Sequence, residues 1–202
     1  MNKLIALLLL LMLLGCSGET KKTDSGSVSN TASANVALDG APITIAGITF
    51  TPPSLWKDLG PSGMRQANYC YGPMEGEKDS ATVALFFFGT GGGGINDNIE
   101  RWIGQISLPD GGDPHTVAKR EEFEVQGMKA HLVQLAGIYN ASMGGPMSGS
   151  SVAKENYFMM AIVLEAPEGN LFFKLTGPEK TARTMATAFR AAIENVRKGQ
   201  AS

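Results

Sequence analysis

Alternating apolar and polar positions predict that most of this chain folds as short strands joined by tight turns. The runs are rich in β-branched and aromatic residues and end at Gly, Pro, Asn or Asp, which is typical of strands. The turns at 126–127 and 167–170 each lie between two such runs and predict two hairpins. The predicted strands are 43–45, 48–50, 64–71, 81–88, 116–125, 128–135 with an extension to 139, 157–165 and 171–176, and a single helical turn is predicted at 54–59.

In two stretches of the chain, the apolar residues recur with the spacing of a helix instead of that of a strand. Five large apolar residues recur on one helical face and predict a helix over 95–106: Ile95, Ile99, Trp102, Ile103 and Ile106. A second apolar stripe predicts a helix over 178–197, with Pro178 at its first position, where the missing N–H has no cost. Hairpins and two long helices together predict an α+β fold: an antiparallel β-sheet covered by two long helices, an α/β sandwich, in one domain over 41–198.

The first residues have the layout of a secretory signal. Lys3 is followed by an unbroken apolar run from Leu4 to Leu14, which is shorter than the ~20 residues that a transmembrane helix needs. Leu13-Leu14-Gly15-Cys16 resembles the bacterial lipobox, which implies a signal peptide over 1–15 and lipidation of Cys16. Ser17, rather than Asp, follows this cysteine, and the resemblance then implies the outer membrane, with the domain on its periplasmic face. Residues 16–40 are small and polar and predict a disordered linker.

The composition and net charge of the chain limit the kinds of molecule that we expect it to bind. The chain has 17 basic and 19 acidic residues, a net charge of −2, and no basic block, so nucleic acid is not expected as a partner. We expect the membrane, through Cys16, and an envelope protein as partners. Cys70 is the only other cysteine, and its apolar surroundings predict a buried, inert thiol.

Two short motifs match known binding or catalytic signatures, but neither lies in the structural context that its signature requires. Gly89 to Gly94 satisfies G-x-G-x-x-G, but a hairpin follows the helix, and Asp97 and Glu100 at its start would repel a pyrophosphate. Ser151-Val152-Ala153-Lys154 matches S-x-x-K, yet it lies near a glycine-rich loop and no Lys-Thr-Gly follows. We therefore interpret 89–94 and 144–149 as glycine loops that are candidates for contact with a partner.

Metal and acid–base chemistry have few candidate residues. His115 follows Asp113 without the spacing of a calcium loop, and His131 occupies a strand position. Thioethers between Met143 and Met147 offer a possible soft-metal site, although methionine more often fills cores. The acidic residues Glu121, Glu122 and Glu124 follow one another on one strand and fit solvated charges. We predict no catalytic, cofactor-binding or metal-binding residue.

Several aromatic and glycine landmarks resemble the PsbP-like fold group, which includes photosystem II extrinsic proteins, a Ran-binding Mog protein and DcrB-related bacterial lipoproteins. The matching segments are 50–56 and 172–178, together with the central helix and the hairpins between them, and the resemblance extends from about Ile43 to Arg197. The segment 91–106, with 98–105 at its centre, also resembles a set of uncharacterised bacterial proteins. It implies a shared fold and no shared catalytic residues. Where a function is known in that group, it is mostly binding to a larger assembly.

The sequence therefore favours a lipid-anchored, non-catalytic binding or assembly module of the bacterial envelope. The alternative is a carrier or sensor of a small ligand or metal ion, which would require a pocket of several hundred Å³ with a few inward polar groups. An envelope enzyme is the third possibility, and it would need Cys70 or His131 beside a second titratable group in a cleft.

Overall fold

The computed structural model describes residues 36–142 and 151–199. This part of the chain contains eleven strands, two α-helices and two short 3₁₀ turns. The strands and helices, in chain order, are β1 (Ile43–Ile45), β2 (Ile48–Phe50), β3 (Lys57–Asp58), β4 (Arg65–Tyr71), β5 (Ala81–Phe87), α1 (Ile95–Ile103), β6 (Ile106–Ser107), β7 (Lys119–Val125), β8 (Met128–Ser142), β9 (Ser151–Ala166), β10 (Gly169–Pro178), α2 (Glu179–Glu194) and β11 (Arg197–Lys198).

Antiparallel pairing builds one large sheet and one small one. The large sheet has the order β3-β4-β5-β10-β9-β8-β6, and β7 pairs with the first half of β8. The two central hairpin strands are in register from Gly169 opposite Ala166 to Pro178 opposite Tyr157. Strands β1, β2 and β11 form the small sheet. No helix within the described ranges is both long and apolar enough to cross a bilayer.

The two faces of the large sheet belong to two separate cores. Side chains of a strand alternate between faces, so Phe173 and Leu175 of β10 face α2, whereas Phe172 and Lys174 face the side of α1. On the α2 face, buried Phe189 and Ile193 of the helix join a large cluster with the strands. On the α1 face, Ile99, Trp102 and Ile103 cover a smaller cluster, and the rest of that face is left uncovered.

The expectation of a sheet covered by two long helices, an α/β sandwich, is wrong, because strands dominate the described chain. Helix α1 has nine residues and ends at Gly104, whose N–H donates back to the carbonyl of Glu100, while the N–H of Gln105 donates to that of Trp102. Ile106 has the spacing of the helical stripe but lies in β6, opposite Tyr139. The second helix begins after Pro178, which ends β10, and stops at Glu194, before β11.

Three other boundaries differ from the prediction. The segment predicted as a helical turn contains β3, whose Lys57 pairs with Cys70 of β4. Strands β8 and β9 are longer than predicted, since cross-strand pairing extends them through polar residues as far as Ser142 and Ser151. Lys154 of the S-x-x-K motif therefore lies in a strand. Both predicted hairpins are confirmed, with the first turn at 126–127. The second turn is shorter than predicted, since Gly169 and Asn170 already pair with β9.

Candidate functional site

The uncovered part of the α1 face forms a partly enclosed cavity of about 630 Å³, here called the α1 pocket. Strands β4, β5, β9 and β10 form its floor, and α1 and the outer end of β8 form its walls. The pocket exists because α1 ends at Gly104, after covering only part of this face. Its lining residues are Met64, Arg65, Ser80, Thr82, Ala84, Phe86, Phe88, Arg101, Trp102, Gln105, Tyr139, Ala141, Lys154, Tyr157, Phe172, Lys174 and Thr176.

Aromatic rings give the α1 pocket much of its apolar surface. At one end, Trp102 of α1 meets Phe172 edge to face, with ring centroids 6.3 Å apart. At the other end, Tyr139 and Tyr157 stack nearly parallel at 5.9 Å. Such pairs hold one another in place. The pocket therefore offers fixed aromatic surfaces to an apolar or aromatic ligand.

Lys174 is the central polar group of the α1 pocket. Its Nζ donates hydrogen bonds to Gln105 Oε1 and, at 3.3 Å, to the hydroxyl of Tyr139. The same ammonium lies 5.0 Å from the centroid of the Tyr139 ring. No carboxylate of the described chain forms an ion pair with Lys174.

Burial of the ammonium, together with the smaller effect of the positive charges of Arg101 and Arg65, lowers the pKa of Lys174 to about 7. Burial also raises the pKa of the Tyr139 hydroxyl. Near neutral pH, Lys174 is thus divided between its charged and neutral forms, while Tyr139 keeps its proton.

Two arginines add positive charge at the rim of the α1 pocket. Arg101 donates to the amide oxygen of Asn98 at 2.7 Å, and Arg65 donates to that of Asn68 at 3.3 Å. Both acceptors are neutral, so neither guanidinium has its charge compensated by a carboxylate of the described residues. Both side chains are exposed and remain accessible to a ligand.

Lys154 differs from the other cations of the α1 pocket because it is paired. Its Nζ lies 2.8 Å from Asp79 Oδ2, and the hydroxyl of Tyr157 donates to the same oxygen at 2.6 Å. These contacts lower the pKa of Asp79 and raise that of Lys154, chiefly through the hydrogen bond between the two. Four cations line the pocket and one carboxylate compensates one of them, so the pocket carries an excess of positive charge.

The glycine run beside α1 has a packing role in this arrangement. A Cβ on Gly92 would lie 2.6 Å from the ring of Phe172, so any larger residue there would have to displace this ring. The carbonyls of Gly92 and Gly94 each accept a hydrogen bond of 2.9 Å from the amide of Asn98. That amide in turn accepts from Arg101, so the run fixes the orientation of a pocket cation.

The other residues singled out by the sequence lie away from the α1 pocket or outside the described residues. Cys16, 144–149 and the Met143–Met147 segment are outside the described residues. Cys70 is a free cysteine and only half-buried, so the prediction of a buried thiol is wrong. The residues 36–142 and 151–199 contain no group of three or more potential metal ligands.

Both histidines are held by carboxylates at the protein surface. His131 lies 3.1 Å from Glu122 and 2.8 Å from Glu165, on the strands beside it, which confirms a satisfied strand residue. His115 lies 2.7 Å from Glu100 and 2.6 Å from Asp113, and these hydrogen bonds raise its pKa. Glu121 pairs with Arg190 of α2 through two hydrogen bonds of 2.6 and 2.7 Å, so it is not merely solvated.

The sequence reasoning missed the residues that define the α1 pocket. Lys174 was the available signal: it is a lysine within the apolar run Leu171–Leu175, at a position that a central strand buries. Arg65, Arg101 and Tyr139 come from β4, α1 and β8, and Gln105 comes from the turn after α1, so these residues share no spacing in the sequence. Only the sheet order brings them together.

The fold and pocket define a class of domain: a mainly antiparallel β-sheet with one helix on each face and a cationic, aromatic pocket beside the shorter helix. No protein-family model and no curated protein matches the chain. Solved structures that are similar include PsbP (CyanoP) from the cyanobacterium Synechocystis sp. PCC 6803, at 12% identity and a TM-score of 0.48, covering 86% of this chain and 98% of that one.

Two further solved structures are similar to this chain. LpqN, involved in cell envelope biogenesis of Mycobacterium tuberculosis, has 14% identity and a TM-score of 0.44, with 78% of this chain and 84% of that one covered. A protein of unknown function from Pseudomonas aeruginosa has 13% identity and a TM-score of 0.34, with 77% and 94% covered. At these levels of similarity no site residue is transferred from any of the three.

Proposed function

We propose that this chain is a ligand-binding domain of the bacterial envelope, whose α1 pocket takes up a small organic anion with an apolar or aromatic body. This is the carrier or sensor alternative of the sequence analysis, applied to an organic anion and not to a metal ion. The observation that supports it is a cavity of about 630 Å³ containing a desolvated lysine and two uncompensated arginines. Its volume is in the range of roughly 300–1,000 Å³ that small-molecule sites occupy.

The charge pattern favours an anion over a neutral ligand. A cation without a charged partner is costly to desolvate, and an incoming carboxylate or phosphate provides that partner. Arg65 and Arg101 present guanidinium groups at the rim, and these can hold a carboxylate through two parallel hydrogen bonds. The rings of Trp102, Phe172 and Tyr139 would then contact the apolar body of the ligand.

The location at the envelope is proposed from the amino terminus alone. Lipidation of Cys16 would anchor the domain to a membrane through the polar segment that follows this cysteine. The predicted linker over 16–40 is too long at its end, because Leu38 packs against the α2-face core and the N–H of Gly40 donates to the carbonyl of Pro52. The intact mass and membrane fractionation of the wild type beside Cys16→Ala test this part. A wild type without acyl mass that stays in the soluble fraction would refute the anchor and leave the pocket proposal untouched.

Tryptophan fluorescence provides a direct test of binding. The chain has two tryptophans, Trp56 in the α2-face core and Trp102 in the wall of the α1 pocket. In a Trp56→Phe background, Trp102 alone reports on the pocket. We propose titration with 3-phenylpropionate, its neutral amide and the corresponding amine, which share a shape and differ in charge.

We expect saturable quenching by the carboxylate and an affinity roughly tenfold or more weaker for the amide, since hydrogen bonds to charged groups contribute about 1.5–3 kcal/mol. Arg101→Gln should weaken carboxylate binding, whereas Lys129→Gln, an exposed change on β8 outside the pocket, should not. The proposal would be refuted if the three compounds bound with equal affinity. It would also be refuted if no carboxylate or phosphate with one or two rings gave saturable quenching.

A further inference from the structure

We propose that Lys174 is an amine nucleophile, which forms an imine with an aldehyde or ketone group of an anionic ligand in the α1 pocket. The inference rests on the proposed function, because the ligand must first enter this pocket. It assigns the ligand to a chemical class, the oxo acids, in which a carbonyl group stands near a carboxylate.

The position of Nζ suits this reaction. Lys174 extends from β10, near the middle of the sheet order, and its Nζ lies at the cavity surface between Gln105 and Tyr139. Gln105 Oε1 accepts one N–H and holds the nitrogen in place. A neutral amine held through its N–H groups keeps its lone pair available for attack.

The pocket contains a second lysine for comparison. Lys154 has its Nζ 2.8 Å from Asp79 Oδ2, and this carboxylate stabilises the protonated, unreactive form. Lys174 has no such partner within the described chain, and burial together with Arg101 and Arg65 brings its pKa to about 7. At neutral pH about half of Lys174 is therefore the free amine, the form that attacks carbonyl compounds.

The reaction needs no oxidant or reductant. The lone pair of Nζ forms a bond to the carbonyl carbon, and the π electrons of the carbonyl move to its oxygen, which takes up a proton. The nitrogen loses a proton to give the carbinolamine. Its lone pair then forms the second carbon–nitrogen bond as the C–O bond breaks, and the oxygen, protonated again, leaves as water. Loss of the remaining N–H proton returns the proton used in this step and gives the imine. One ligand and one amine thus give one imine and one water.

Tyr139 is the group that the structure places to assist these proton transfers. Its hydroxyl lies 3.3 Å from Nζ, and burial raises its pKa, so it remains a donor at neutral pH. A proton donor beside the attacked carbonyl can stabilise the developing oxygen charge and protonate the leaving water. Tyr139 is thus the proton donor for this step, and Gln105 is a positioning residue for Lys174.

The arginines explain why an oxo acid fits better than a neutral aldehyde. A protonated imine at Lys174 would carry a positive charge near Arg65 and Arg101, whose charges already disfavour the ammonium form. A carboxylate on the same ligand compensates this charge and can bind the guanidinium groups. The pocket therefore selects a ligand that brings both groups together.

Reductive trapping tests the proposal on the full chain. Wild-type protein is incubated with phenylpyruvate and sodium cyanoborohydride, and then analysed by intact mass and peptide mapping. We expect one adduct per chain, with the mass of the ligand less one oxygen atom, at Lys174 and not at Lys154. At phenylpyruvate concentrations well below saturation, the trapping rate should increase with pH around a midpoint near 7, the pKa of Lys174 in the free protein, instead of near the ordinary lysine pKa of 10.5.

Variants and a second probe separate this proposal from the proposed function. Lys174→Arg should lose the adduct, Lys129→Arg should retain it, and benzaldehyde should react more slowly than phenylpyruvate. The mapping of the wild type identifies the site even if Lys174→Arg does not fold. If Trp102 fluorescence shows binding of 3-phenylpropionate but trapping gives no adduct, or adducts spread over surface lysines, the imine proposal is overturned. The binding function then stays in place. Absence of binding by both compounds overturns the binding function as well.

Discussion

Replacement of Lys174 by methionine should stabilise the domain at neutral pH. Methionine keeps the unbranched shape of the side chain and removes the amine, so it fits an apolar position. The lysine pKa falls from 10.5 to about 7 on folding, which at ~1.36 kcal/mol per pKa unit corresponds to a cost of at most about 5 kcal/mol for the charged form. Relaxation of the pocket and entry of water reduce this value, and lost hydrogen bonds to Gln105 and Tyr139 offset part of it.

The pH dependence of this effect has a definite sign. Between pH 7 and 10.5 the unfolded chain keeps the Lys174 proton that the folded chain has lost, so the free energy of unfolding of the wild type increases with pH. Below pH 7 both states are protonated and the destabilisation is fully present. From pH 7 to 9 the wild type should gain about 2 kcal/mol relative to Lys174→Met, since the slope approaches ~1.4 kcal/mol per pH unit.

Urea unfolding of the two proteins at several pH values between 6 and 9.5 measures this difference. The comparison cancels the other titrating groups, including Tyr69, whose pKa burial raises to about 12. The stability advantage of Lys174→Met should be largest near pH 6 and shrink steadily above pH 7. Parallel pH profiles for the two proteins would show that Lys174 has an ordinary pKa, and would refute the electrostatic account of the α1 pocket.

Three further predictions concern the pocket and its support. Gly92→Ala should displace the Phe172 ring, since the added Cβ would lie 2.6 Å from it. Its main effect should be weaker binding of 3-phenylpropionate, measured by Trp102 fluorescence, with a smaller change in the urea midpoint of unfolding. Glu121→Gln should lower the free energy of unfolding by about 1 kcal/mol, because it removes a bidentate ion pair with Arg190, whereas Glu124→Gln should have no effect in urea unfolding. Binding of 3-phenylpropionate above pH 7 should take up a proton on Lys174, and calorimetry in buffers of different ionisation enthalpy would detect it; buffer-independent heats would contradict this.

Local elements of the fold follow from short-range patterns in the sequence. Gln126-Gly127 is an example, because both residues have positive φ and this matches the tight hairpin turn predicted there. Ile106 shows where the pattern misleads: it has the spacing of the α1 stripe but is buried through β6. An apolar residue just beyond the end of a helix can continue the helical spacing by position alone, whether it belongs to the helix or to the next strand.

The candidate site could not be predicted in the same way, because it depends on which strands become neighbours. Lys174 could be recognised as unusual, since a charged residue in a central apolar strand needs a partner or a reason. Its distance from Arg65 depends on β4, β5 and β10 lying side by side, although more than a hundred residues separate the two positions along the chain. Because α1 ends at Gly104, it does not cover this region, which is therefore a cavity and not part of a core.

The two faces of β10 explain why a binding pocket and a stable domain can share one sheet. Phe173 and Leu175 face α2 and belong to the larger core, which stabilises the fold by apolar burial. Lys174 faces the α1 pocket, where its desolvated charge opposes folding until an anion compensates it. On the proposed function, ligand binding therefore removes an unfavourable interaction as well as adding contacts. Ligand at about 100 times its dissociation constant at neutral pH should raise the free energy of unfolding by ~2.7 kcal/mol. The same ligand concentration should give a smaller gain at high pH, because binding then requires protonation of Lys174 and the dissociation constant rises.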